Sequence, residues 1–141
     1  MLTVLYVLGL TAESMTAALA AGRQRVDIFG VMLIAAVTSF GGGTVRDLLF
    51  GHYPLRWVNE PIFLAIVLGA ALVTVLASFL MDYFRTIFLI LDAVGLSTFA
   101  LLGAQVALDM GYSPLIVVVS SVVTGVFGGV LRDILLSLIH I

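Results

Sequence analysis

Cysteine and lysine are both absent from the 141 residues, and charge of either sign is scarce. Without cysteine there are no disulfides, thiolate metal ligands or thiol nucleophiles. The six basic residues are all arginine and the eight acidic residues leave a net charge of −2, so nothing points to nucleic acid. The two histidines, His52 and His140, are far apart and form no metal-ligand spacing, and neither metal nor cofactor is expected. A nucleophile–base pair is missing too, and the glycine run before Thr44-Val45-Arg46-Asp47 lacks the Lys-Ser/Thr ending of a phosphate loop. An enzyme is therefore not expected. The N-terminus lacks a basic region and a small-residue cleavage site, so its apolar run reads as a first membrane span rather than a cleaved signal.

Hydrocarbon is what the chain has in plenty. Hydrophobic residues make up 62%, charged residues 10%, and mean hydropathy is +1.28. A soluble domain carries about 25% charged residues, and a chain this small cannot hide so much apolar surface from water. The lipid bilayer is the natural solvent. Five segments approach the ~20 residues that cross a bilayer: 3–21, 28–49, 61–81, 86–108 and 114–137. The connection at 51–61 carries Tyr53 and Trp57, suited to the interfacial aromatic belt. Pro61 and Pro114 suit a first helical turn, where no backbone donor is lost. Alternating spans put Arg23, Arg25, Arg85 and Arg132 on one side and Arg56 on the other. The positive-inside rule then places the N-terminus outside and the first connection in the cytoplasm.

The chain repeats itself. At a constant offset of 86, Thr38, Gly42, Gly43, Arg46 and Asp47 meet Thr124, Gly128, Gly129, Arg132 and Asp133, and upstream Gly9 and Leu10 meet Gly95 and Leu96. The period holds three spans, an odd number, so the second copy enters the membrane from the opposite side. The expected fold is an all-α polytopic membrane bundle of inverted three-helix repeats, with helices 2 and 5 broken at their glycines. Residues 1–84 form the first repeat and 85–135 an incomplete second repeat of two spans. The last six residues, 136–141, read as translation of a common sequencing-library adapter, so a truncated reading frame with a non-native tail is expected, and His140 is given no functional weight.

Gly41, Gly42 and Gly43, with Gly128 and Gly129, are the candidate pathway residues. Each glycine costs a helix about 1 kcal/mol relative to alanine. A break at membrane depth frees backbone groups that are tolerated only inside protein or beside a wet cavity. The alternative is close packing, since small residues let helices approach. Arg46, Asp47, Arg132 and Asp133 either line the pathway or serve structure by capping carbonyls or pairing with a neighbouring helix. Adjacent residues do not face each other on a helix, so each charge is expected to need its own partner. Glu13 and Asp92 are intramembrane carboxylates and functional candidates by default. Neither is repeated: Glu13 meets Phe99 and Asp92 meets Tyr6 at the offset of 86. Pairing with Arg46 or Arg132 is the structural alternative.

The motif Gly-Gly-x-x-Arg-Asp occurs as Gly42-Gly43…Arg46-Asp47 and Gly128-Gly129…Arg132-Asp133, and Leu91-Asp92-Ala93-Val94-Gly95-Leu96 opens the second copy. With these features the chain resembles the bacterial UPF0126 membrane proteins, the glycine transporter family, which are related to the trimeric intracellular cation (TRIC) channels. Thr11-Ala12-Glu13, Ala20-Ala21-Gly22-Arg23 and Gly51-His52-Tyr53-Pro54 are similar to its YicG-like subgroup. The resemblance implies a seven-helix protomer in the bacterial inner membrane, a homotrimer, and one pore per protomer lined by helices 2 and 5. The chain departs from it by stopping after helix 5. Three functions stay open: a channel for monovalent cations such as K⁺ or Na⁺, a carrier for a small amino acid such as glycine, and a membrane protein without transport activity.

Overall fold

A computed structural model describes residues 2–52, 55–77 and 84–140. These residues form six helices: α1 (Leu2–Arg23), α2 (Ile28–Phe50), α3 (Arg56–Asn59), α4 (Ile62–Ala77), α5 (Phe84–Asp109) and α6 (Pro114–His140). The helices α1, α2, α5 and α6 are long and apolar enough to cross a membrane, matching the first, second, fourth and fifth expected spans. The third begins at Ile62 and is described over 16 residues. Its expected end at 78–81, Asp82 and Tyr83 of the next connection, and Tyr53 and Pro54 lie outside the described residues. The single turn α3, inside the second connection, has no counterpart in the sequence expectations. Residues 136–140, expected as a tail, continue α6.

Helix ends follow local chemistry. The Asp27 carboxylate caps α2 by accepting the Gly30 N–H at 3.2 Å. Gly51 ends α2 in the left-handed region, φ 67°, where its N–H reaches the Asp47 carbonyl. Pro114 is the first residue of α6 and Pro61 immediately precedes α4.

The innermost span is α1, packed against α2, α4 and α5, with 56% of its span buried against 22% for α6. Its buried face is small, with Ala17, Ala18 and Ala21. This lets the Ser14 hydroxyl donate to the Val67 carbonyl of α4 at 2.6 Å. On the other side, the Ser120 hydroxyl of α6 donates to the Gly103 carbonyl of α5, also at 2.6 Å. Large apolar side chains such as Phe29, Val73, Leu76, Leu101 and Leu115 point outward, as lipid contact requires.

Two sets of contacts fix the symmetry. Gly9 of α1 faces Thr98 and Phe99 of α5, while Gly95 of α5 faces Glu13 of α1. Gly42 of α2 faces the Thr124 carbonyl of α6, while Gly128 of α6 faces the Thr38 carbonyl of α2. In both sets one number rises as the other falls, so α1 is antiparallel to α5 and α2 to α6. Each contact also maps onto its partner by the offset of 86. The α1–α2 unit is thus the inverted image of α5–α6, as the odd number of spans per repeat demands.

One expectation changes. Both α2 and α6 run as single helices through Gly41–Gly43 and Gly128–Gly129. The intrinsic cost of glycine is a local penalty of about 1 kcal/mol per residue, and tertiary contact outweighs it here. A Cβ on Gly42 would collide with the Thr124 carbonyl, and one on Gly128 would lie 2.5 Å from the Thr38 carbonyl. The glycines therefore bring two unbroken helices together rather than interrupt them, and the backbone groups expected to be freed stay within helix.

Alanine at Gly42 or Gly128 meets backbone that cannot step aside. Each substitution is expected to destabilise by about 1–3 kcal/mol, read as a lower melting temperature of the purified protein in detergent. Gly69 of α4 has nothing within 4 Å of its Cβ position, so Gly69→Ala is expected to gain about 0.5–1 kcal/mol. Equal melting temperatures for all three variants would remove close approach as the reason for these glycines.

Candidate functional site

The α2–α6 crossing divides two cavities. The first, of about 100 Å³, lies toward the C-terminal half of α2, with Tyr6, Gly43, Arg46, Asp47 and Phe99 in its wall. The second, of about 230 Å³, lies toward the C-terminal half of α6, with Asp92, Gly129, Arg132, Asp133 and Glu13 in the equivalent places. Because α2 and α6 are antiparallel, the cavities open toward opposite ends of the bundle.

Each cavity holds a buried arginine bound to the carboxylate that follows it. Arg46 Nε donates to Asp47 Oδ1 at 2.9 Å, and Arg132 Nε to Asp133 Oδ1 at 3.1 Å. The expectation that adjacent residues need separate partners is thereby corrected. Their Cβ atoms do diverge, but the long arginine stem curls back along its helix to the neighbouring carboxylate. A glycine one turn earlier leaves room for this: the Cβ positions of Gly43 and Gly129 each lie 3.5 Å from an arginine Nη2.

Beyond that shared pair the cavities differ. In the first, Asp47 also faces His52, whose Nδ1 is 3.2 Å from Oδ1. Arg56 of α3 lies over the Tyr6 ring, 4.2 Å from its centroid, and donates to the Thr3 hydroxyl. Trp57 stacks on Phe40 at 5.4 Å, and its indole N–H donates to Thr44 at 3.1 Å. This end is aromatic and cationic. In the second, Arg132 Nη1 donates to Asp92 Oδ1 at 3.1 Å, and its guanidinium sits 5.1 Å from the Phe88 ring. Glu13, only 2% exposed, fills the place that Phe99 takes at the other end. This end is acidic.

The candidate residues therefore fall into three groups rather than one. Gly41, Gly42 and Gly128 lie at the crossing. Gly41 faces the Leu131 side chain, and its counterpart by offset is Phe127. Gly43, Arg46 and Asp47 belong to one cavity, and Gly129, Arg132, Asp133, Glu13 and Asp92 to the other. Of the structural alternatives, Asp92 pairs with Arg132. Arg56, Trp57 and His52 are not legible as site residues in the sequence, because nothing local shows that the connection folds back over a cavity. Tyr6 and Phe99 stand out in the sequence only as mismatches in the repeat, and those mismatches are the signal that marks them. Among the described residues no group of three or more histidine, cysteine or acidic side chains is placed to hold a metal ion together.

A family model described as a glycine transporter matches residues 3–78 and 89–140. The chain belongs to the glycine transporter family. The UPF0126 inner membrane protein YadS of Escherichia coli is 37% identical over 130 residues, which cover 92% of this chain and 63% of YadS. A UPF0126 membrane protein of Deinococcus radiodurans is 39% identical, over 92% of this chain and 60% of its own. The chain thus spans about three fifths of the length of these curated relatives. Among solved structures, the TRIC trimeric intracellular cation channel orthologue of Rhodobacter sphaeroides matches with a TM-score of 0.91 at 43% identity, covering 96% of this chain and 70% of that one. A prokaryotic TRIC channel crystallised in 0.5 M KCl matches equally well at 34% identity. The all-helical membrane fold of this family member is therefore that of the TRIC structures.

The two Arg-Asp pairs differ in exposure, with the Asp47 side chain 4% exposed and that of Asp133 72%. Removing Asp47 strands a buried guanidinium, so Asp47→Ala is expected to cost about 3–5 kcal/mol. Asp133→Ala leaves Arg132 its bond to Asp92 and removes an exposed partner, an expected loss below about 1 kcal/mol. Thermal unfolding of the two variants in detergent checks this order, and the reverse order contradicts it.

Proposed function

We propose that this chain supplies the pathway of a membrane transport protein that passes monovalent cations, K⁺ or Na⁺. One observation carries the reading: two cavities related by the repeat lie on opposite sides of the glycine crossing of α2 and α6, one toward each end of the bundle. The TRIC structures, named as cation channels, support it. In this reading Gly41, Gly42 and Gly128 allow the close crossing that separates the cavities, and Gly43 and Gly129 make room for the arginines. Arg46–Asp47 and Arg132–Asp133 set the field at each mouth, and Glu13 and Asp92 favour cations at one of them. Residues 1–84 and 85–135 act as the two inverted halves. The assembly is a homotrimer in the bacterial inner membrane, with the N-terminus in the periplasm. A second reading, a carrier for glycine or a similar amino acid, draws on the description of the family model.

Reconstitution into planar bilayers separates the two. The channel gives unitary currents in KCl whose reversal potential follows the K⁺ gradient. Saturable glycine uptake into liposomes without such currents selects the carrier, and neither activity overturns both. The absence of cysteine from these 141 residues suits single-cysteine labelling. Thr44→Cys is expected to react with a membrane-impermeant thiol reagent from the periplasmic side and Val130→Cys only from the cytoplasmic side. Labelling of both from one side rules out a pathway with opposed mouths.

A further inference from the structure

The two cavities share a scaffold, so their differences isolate what each wall adds. Tyr6 and Phe99 on one side become Asp92 and Glu13 on the other. The fold does not require the acids, since aromatic side chains occupy the same places at the other end. Asp92 and Asp133 are both engaged by Arg132. Glu13 is not: its Oε2 is buried and has no hydrogen-bond partner among the described residues. That oxygen lies 3.7 Å from the Cβ position of Gly128, the glycine that faces the Thr38 carbonyl. The Thr38 hydroxyl is the other buried, unpartnered oxygen at this crossing, in a residue 1% exposed. Leaving such groups unsatisfied in a low-dielectric interior is costly, most of all for a carboxylate. Three carboxyl groups share this cavity with one guanidinium, which leaves it rich in acceptors.

We infer that this cavity binds a singly charged cation on the Glu13 carboxylate, with Thr38 beside it. The number of free ligands sets the charge. Divalent cations such as Ca²⁺ collect six to eight oxygens, including several carboxylates, and here two of the three carboxylates are already held by Arg132. One free carboxylate with a hydroxyl and water suits K⁺, Na⁺ or the ammonium group of a small amine. The inference deepens the transport reading by assigning the cation site to one mouth alone. Binding is read without transport, so the two can fail separately.

The purified protein is melted in detergent at constant ionic strength while choline chloride is replaced by KCl or NaCl, and in a separate arm with added glycine. Ligand binding to the folded state raises the melting temperature in a saturable way. A rise with KCl or NaCl identifies an inorganic ion, and a rise with glycine alone identifies an ammonium ligand. Glu13→Gln is expected to abolish the response, and Thr38→Val to weaken the apparent affinity by about tenfold, the scale of one lost contact. Phe99→Leu, in the opposite cavity, is expected to respond as the parent does. An undiminished response in Glu13→Gln, or none in the parent under any arm, overturns the site. Should Glu13→Gln not fold, crystals of the parent soaked in RbCl decide the inorganic case: anomalous density beside Glu13 supports the site and its absence there overturns it.

Discussion

At Gly42 and again at Gly128, a peptide carbonyl of the opposite helix stands where a methyl group would otherwise be. Everything else in the bundle is arranged around that double contact. It brings α2 and α6 backbone to backbone near the middle of their lengths, and it does so twice, in a way that reads the same from either end. In lipid there is little hydrophobic drive between apolar helices, so close van der Waals approach has to hold them together. The contact is made of backbone on one side and of a missing side chain on the other, which makes it intolerant of nearly any addition. The Ser120 hydroxyl bond ties α5 to this crossing pair through the same kind of approach, and the Ser14 bond ties α4 to α1.

Much of this was legible in the amino-acid order. The offset of 86 relates Gly42 to Gly128 and Thr38 to Thr124, and the odd number of spans in the period dictates inversion. The antiparallel contacts of α1 with α5 and α2 with α6 are its direct consequence. What the order did not show is the use to which the glycines are put. Three in a row weaken a helix by propensity alone, but propensity is a weak local term that packing overrides. The partner atoms that override it are the Thr38 and Thr124 carbonyls, which any residue type would supply, so no side-chain pattern announces them. The same limit applies to Arg46 and Arg132: their spacing to the next carboxylate looks wrong on a helical wheel, and the flexibility of the arginine stem resolves it.

The connection between α2 and α4 was opaque for another reason. Trp57 and Arg56 look like interfacial residues in a polar loop, which is how such residues usually act. In the structure they fold back, with Trp57 on Phe40 and Arg56 over Tyr6. That return is fixed by stacking with residues 17 and 50 positions earlier in the chain, contacts no local window contains. It also gives the first cavity a cover of aromatic rings to which the second cavity has no described equivalent.

Inverted duplication makes two mouths of the same outline but leaves their chemistry independent. Gly9 and Gly95 show how. Each is the space into which a side chain of the opposite repeat projects, a ring from Phe99 in one case and a carboxylate from Glu13 in the other. A glycine serves both equally, because what it provides is room. Tyr6 and Asp92 likewise stand in the cavity walls, away from the Gly42–Gly128 crossing. Exchanging aromatic for acid at these places therefore alters the field in the cavity while the crossing that defines it stays intact. The buried arginine with its adjacent aspartate is common to both ends, so it cannot distinguish them. The contrast between the two cavities resides in positions where the halves disagree, Tyr6 against Asp92 and Phe99 against Glu13 among them.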